Sequence, residues 1–317
     1  MTKPTSSQPK GIFARLFDQP VLILCMTAAF WGGNTVAGKI AVGEIDPYTL
    51  TVLRWAGALL CVLPFAQRQM RTDFPRIREK WPLLLFYGAI GYATFNILIY
   101  LSAYYTSGVN IAIEQVMVNI IVMLGNFVLF RVRVRFLQIV GVVLTIIGVA
   151  ITATHGDPTR LLELDINIGD GIVLLACLVY ASYSLTLRFR PAVGWLSFLV
   201  ATFSGALLGA FVYQFLLGGG LGGLWSGILA ATPTGWMIVV YVLIFPSIFS
   251  QLLYVRGVEL IGPNRASLFI NLIPLFGTLG AVLVLGEQLE GFHLIAGALI
   301  AIGIVLAEWA ARRSVGR

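Results

Sequence analysis

The stretch SGVNIAIEQVMVNIIVMLGNFVLF (residues 107–130) lines up without a gap against GPNRASLFINLIPLFGTLGAVLVL (residues 262–285), and the match runs on to residues 151 and 306 at an offset of 155. Gly125 then meets Gly280, Gly148 meets Gly303, and Asn119 meets Pro274. A second correspondence, offset by 149, lays Ala28-Ala29-Phe30-Trp31-Gly32-Gly33 over Cys177-Leu178-Val179-Tyr180-Ala181-Ser182 and brings Lys39 onto Arg188. Both run in order along two halves of the chain, residues 20–154 and 168–310.

The halves are made of membrane-type sequence. Hydrophobic residues make up 58% of the chain and charged ones 11%, against roughly 25% charged in soluble proteins. Mean hydropathy is +0.91. A spanning helix needs about 20 mainly apolar residues. Ten segments qualify: 20–41, 47–66, 82–104, 108–130, 136–154, 168–187, 195–217, 235–255, 264–285 and 291–310. What remains is an N-terminal tail (1–19), a connection between the halves (155–167) and a C-terminal tail (311–317). Five is odd, so the second half enters the membrane from the opposite side. The expected fold is an all-α integral membrane protein, ten transmembrane helices in two inverted five-helix repeats.

The net charge of +7 is a topology signal. With the N-terminus cytoplasmic, 18 of the 21 Lys and Arg residues fall on the cytoplasmic side, leaving Arg160 outside and Lys39 and Arg54 inside helices. Both termini are therefore expected in the cytoplasm of a multi-pass, bacterial-type inner (plasma) membrane protein. The same placement argues against nucleic acid as a partner; the expected partners are the bilayer and a small-molecule substrate. Cys25, Cys61 and Cys177 lack metal or redox spacing and read as small buried hydrophobes. No cofactor or metal is suggested. Gly218 to Gly223 reads as a flexible outer loop, without the Lys-Ser/Thr ending of a phosphate-binding loop.

Inverted repeats are a recurring transporter construction, with the substrate site near mid-membrane between the halves. The residues also carry a resemblance. Ala29-Phe30-Trp31-Gly32-Gly33-Asn34 with Lys39, then Pro47 with Arg54, resemble the first two helices of EamA-type drug/metabolite transporters. Pro274, Leu285-Gly286-Glu287-Gln288-Leu289, Gly297 and Gly303 resemble that family's last two helices. The first half departs from the pattern, with Asn119 and Val132 where the repeat would place the Pro and the Glu. The resemblance implies a carrier without ATP hydrolysis, working by alternating access. It also implies transport, often export, of a metabolite such as an amino acid.

Charged and polar groups inside the spans are the candidate site residues, because an isolated charge in hydrocarbon is costly. Lys39, Arg54 and Glu114 share a layer near the outer face, Arg54 about 10 Å down at 1.5 Å per residue. Glu114 is expected to pair with Lys39 or Arg54 and to exchange that partner for substrate or a proton; for Lys39, snorkelling to the headgroups is the plainer reading. Asn34, Asn96, Tyr100, Gln115, Asn119, Gln251 and Asn271 are candidates for completing a polar cavity. Gly32, Gly33, Pro246 and Pro274 are candidate hinges. His293 reads as a solvated boundary residue and Glu287 as a cap. Two other classes fit less well. A channel-like facilitator suits ten helices but not the repeat. An integral membrane enzyme acting on lipid-linked substrates would need a His/Asp/Glu cluster and a nucleophile.

Overall fold

Short polar side chains, twice followed by proline, start four of the long helices and fix where the chain re-enters the bundle. Asp46 accepts from the Thr49 amide (2.8 Å) ahead of Pro47, and Thr232 from the Gly235 amide (3.1 Å) ahead of Pro233. Ser107 accepts from the Asn110 amide (3.0 Å) and Asn167 from the Gly169 amide (2.7 Å). Each satisfies an amide that the first helical turn leaves without an intrahelical partner, and proline at that position has no amide to satisfy.

The structure, a computed structural model, describes residues 17–131, 136–157, 167–262 and 266–315. The helices are α1 (Pro20–Ile40), α2 (Pro47–Glu79), α3 (Trp81–Ser102), α4 (Gly108–Phe130), α5 (Phe136–Ala153), α6 (Ile168–Phe189), α7 (Trp195–Leu216), α8 (Gly220–Ala230), α9 (Pro233–Ile261), α10 (Phe269–Leu285) and α11 (Gly291–Val315). Among the described residues, eight are long and apolar enough to cross a bilayer; α10 and α11 have shorter apolar stretches and stand in the second half where α4 and α5 stand in the first. Large apolar side chains such as Phe136, Leu216 and Leu283 stand exposed on the outside, as a lipid-facing surface requires.

Packing follows the repeat. α1 lies on α10 as α6 lies on α4, and α1 touches α9 as α6 touches α3. α2 pairs with α7, and α5 with α11, so each of these pairs maps onto itself when the halves exchange. The fold is two inverted five-helix repeats interlocked about a pseudo-two-fold axis.

The backbone irregularities obey the same symmetry. α3 opens into a π-helical stretch at Tyr87–Thr94 and α9 at Leu243–Phe249; the repeat offset carries the first onto residues 242–249. α4 breaks at Gln115 and Val116, and α10 begins as a 3-10 turn at Ser267–Leu272, which contains the equivalents of both. Irregular backbone within a membrane persists where it is buried in protein or lines a cavity.

Several expectations need correction. The glycine run is only partly a loop: Gly219 and Gly220 take left-handed backbone (φ 77° and 66°) and α8 starts there. The basic segment after residue 66 continues α2 to Glu79. Cys177 is buried as expected, but Cys25 is half-buried and Cys61 exposed, and all three are free thiols. Gly32 serves close packing within a continuous α1: a methyl group there would sit 2.6 Å from the Gly277 amide nitrogen of α10. Gly33 is covered by the Tyr241 hydroxyl. Pro274 lies in the first turn of the regular part of α10, where its missing N–H breaks no helical bond. Pro246 alone of the four sits in irregular backbone. Val132 lies outside the described residues.

Candidate functional site

The four irregular segments converge on one cavity, with about 900 Å³ of unfilled space including its mouth. α3 contributes Gly91 and Tyr92, α4 contributes Gln115 and Val116, α9 contributes Pro246, and α10 contributes Ile270. Aromatic walls come from Trp31, Trp55, Phe95 and Tyr180, and further polar atoms from Asn34, Asn96, Asn119 and Gln251. Of the expected residues, Asn34, Arg54, Asn96, Gln115, Asn119, Gln251, Pro246 and Pro274 line it.

Arg54 is its charged group, only 4% exposed. Nε donates to Ser247 Oγ (2.8 Å), and Nη1 to Asn34 Oδ1 (2.7 Å), Asn96 Oδ1 (3.1 Å) and the Tyr100 hydroxyl (2.6 Å). The acceptors are themselves oriented. Ser247 spends its proton on the Val242 carbonyl five residues back, within the π stretch (2.7 Å). Asn96 gives its amide hydrogens to the Tyr92 carbonyl (2.6 Å), turning its oxygen to the guanidinium. Tyr100 donates to Asn34 (3.0 Å). The guanidinium also lies over the Trp55 ring, 4.9 Å from its centre. Helices α1 and α3 and the π turn of α9 thus lock one cation from both halves.

The expected pairing of Glu114 with a cation is not what forms. Arg54 is held by neutral groups. Lys39 donates to the carbonyls of Ala103 (2.7 Å) and Thr106 (2.8 Å), capping the end of α3 rather than snorkelling or reaching the cavity. Helix rotation decides this: Glu114 faces α6, while Gln115, one residue on, faces the cavity and donates to Thr35 (3.0 Å). Glu114 is fully buried, with no hydrogen bond to either carboxyl oxygen. The acidic group it feels is Asp170 on α6, also fully buried. Thr106 and Asn110 lie beside Asp170, yet neither of its oxygens completes a hydrogen bond of normal geometry.

Asp170, Ser247 and His293 were missed as site residues. Asp170 counts in sequence as an outer carboxylate, and nothing in spacing marks its partner. His293 is buried rather than solvated: its Nδ1 accepts from the Glu290 amide (3.0 Å), so its Nε2 carries the hydrogen and donates to Asn110 (3.1 Å). Asn271 stands off the cavity wall but accepts from Asn119 across the halves (3.0 Å).

Glu287 spans the halves as a helix cap. Its two oxygens accept from the amides of Gly108 (2.8 Å) and Val109 (2.9 Å) at the start of α4. A carboxylate at a helix N-terminus complements the dipole. Glu287→Ala is expected to lower stability by about 1 kcal/mol, read as a drop in the unfolding midpoint, since lost caps typically cost about 0.5–2 kcal/mol.

The sequence model of the EamA-like transporter family matches residues 19–154 and 167–309. The chain is 24% identical over 292 residues to the uncharacterized transporter YyaM of Bacillus subtilis (strain 168), covering 90% of this chain and 92% of that protein. It is 23% identical to the uncharacterized inner membrane transporter YicL of Salmonella typhimurium (strain LT2), covering 92% and 96%. A chain of known crystal structure, 17% identical, shares the fold at a TM-score of 0.63 over 93% of this chain and 98% of its own. Two matched family repeats, two interlocked five-helix halves and a cavity between them give one conclusion: the chain belongs to the EamA-like transporter family and is a multi-pass membrane transporter.

Proposed function

We propose that the protein is a secondary active carrier, moving a small organic metabolite about the size of an amino acid across the inner membrane by alternating access, in the direction of export. The observation that carries this reading is the cavity at the four symmetry-related irregular segments. Broken helices meeting at the interface of inverted repeats are where such carriers hold cargo.

The conformation supports a cytoplasm-facing state, with both termini on that side. The predicted outer end is cross-braced by Lys39 to the end of α3, by Glu287 to the start of α4, by Asn167 to the Tyr105 carbonyl (2.7 Å) and by Thr232 to Glu44. Asn119, deeper along α4, is exposed at the cavity. Glu114 and Asp170 are the candidate proton-coupling groups, buried behind the cavity wall.

Purified protein in proteoliposomes tests this by counterflow. A carrier shows saturable uptake of labelled metabolite against a preloaded unlabelled pool. Flux that rises linearly with concentration and needs no preloading would favour the channel-like facilitator. The family membership leaves no role for the membrane-enzyme alternative.

A further inference from the structure

The charge balance of the cavity narrows the cargo. Arg54 spends Nε and Nη1 on four neutral acceptors, and among the described residues no hydrogen bond occupies Nη2. Among the described residues, no carboxylate lines the cavity with it. Glu114 does not neutralise it, because both Glu114 oxygens are buried without a hydrogen bond. A buried cation with only neutral partners calls for an anion, since ion burial is tolerated when charge is paired as well as hydrogen-bonded. The rest of the wall gives amides and the aromatic side chains of Trp31, Trp55, Tyr92 and Tyr180, Trp55 already stacked on Tyr92, which suit an apolar or aromatic body.

We infer that the cavity takes a net-anionic organic acid: a monocarboxylate whose carboxylate docks on the free Nη2 edge of Arg54 and whose apolar body lies between the tryptophans and tyrosines. A zwitterion or amine would bring an ammonium group to a wall that offers it no opposite charge. This rests on reading the cavity as the carrier's cargo site.

The test uses three sets of probes with matched bodies. The carboxylates are phenylacetate, isovalerate and indoleacetate. The amines are phenethylamine, isoamylamine and tryptamine, and the zwitterions are phenylalanine, leucine and tryptophan. Binding to the purified full chain is followed by tryptophan fluorescence, which Trp31 and Trp55 place at the site, and by thermal shift. At least one carboxylate is expected to bind at least about tenfold more tightly than its matched amine and zwitterion.

Arg54→Met should weaken that carboxylate about 30-fold or more, the equivalent of losing one partner of a buried charge pair. Arg54→Lys, which keeps the charge, should lose less. If Arg54→Met does not fold, the ranking in wild type and the Arg54→Lys loss decide. An amine or zwitterion that binds as tightly as its carboxylate, by cation–π contact with the aromatic walls, would overturn the inference; so would failure of every carboxylate to bind. Saturable counterflow of an amine or zwitterion would leave the carrier reading standing while removing the anion assignment.

Discussion

Arg54→Met is expected to lower saturable counterflow per folded molecule by at least about 30-fold. Arg54→Lys lowers it less but does not restore wild-type rates. The magnitude follows from the two jobs of the guanidinium. Removing one partner of a buried, hydrogen-bonded charge pair costs about 2–5 kcal/mol, and each 1.4 kcal/mol is a factor of ten. Asn34, Asn96, Tyr100 and Ser247 are also held in place by this one donor group. Lysine supplies the charge but not the planar fork, so it cannot reach acceptors on α1, α3 and α9 together. Rates must therefore be normalised to folded protein, because leaving these buried acceptors unmet costs stability too, about 1–3 kcal/mol each.

Glu114→Gln has a different signature: near-normal stability, with the pH dependence of transport lost. Were Glu114 bound to a buried cation, removing its charge would cost about 3–5 kcal/mol. Neither of its oxygens has a partner to lose, so the unfolding midpoint should move by less than the equivalent of about 1 kcal/mol. The titratable groups around it are Asp170 and Cys177 on α6. His293 on α11 bonds Asn110, one turn above it, and His155 acts on Asp170. Glutamine keeps the shape and removes the titratable proton from Glu114. Rates from pH 5.5 to 8.5 in wild type and variant decide the matter. A midpoint drop of several degrees would restore the ion-pair reading. An unchanged pH profile would take Glu114 out of coupling, with Asp170→Asn the companion measurement.

The ten apolar segments and the repeat offset were readable because burial in lipid is a one-dimensional property of sequence. The amides and the arginine of the cavity wall were readable too, since polar side chains in spans have few places to go; its aromatic walls were not. What one sequence hid was azimuth. Glu114 and Gln115 are adjacent, yet one faces α6 and the other the cavity, and only the packing of α4 against α6 and α10 decides which. Lys39, Arg54 and Glu114 were therefore expected to pair with one another, and each meets other groups instead. Lys39 found backbone carbonyls at a helix end, partners that no side-chain pattern advertises. The π stretches were equally silent: Tyr87–Thr94 and Leu243–Phe249 share a place in the repeat but little sequence. Pro246 was the one local hint; Ser247, which bonds Arg54, is the next residue and carried no signal of its own.

The most direct test of the central claim, that one cavity between inverted halves is reached alternately from each side, needs no known cargo. Gln115→Cys on the cavity wall is made with Cys25, Cys61 and Cys177 replaced by Ser, and membrane-impermeant thiol reagents are applied to right-side-out and inside-out vesicles. Modification is expected from both sides, faster from the cytoplasmic one, with no steady ionic current. Modification from one side only would contradict alternating access, and modification from both with continuous current would make the protein a channel.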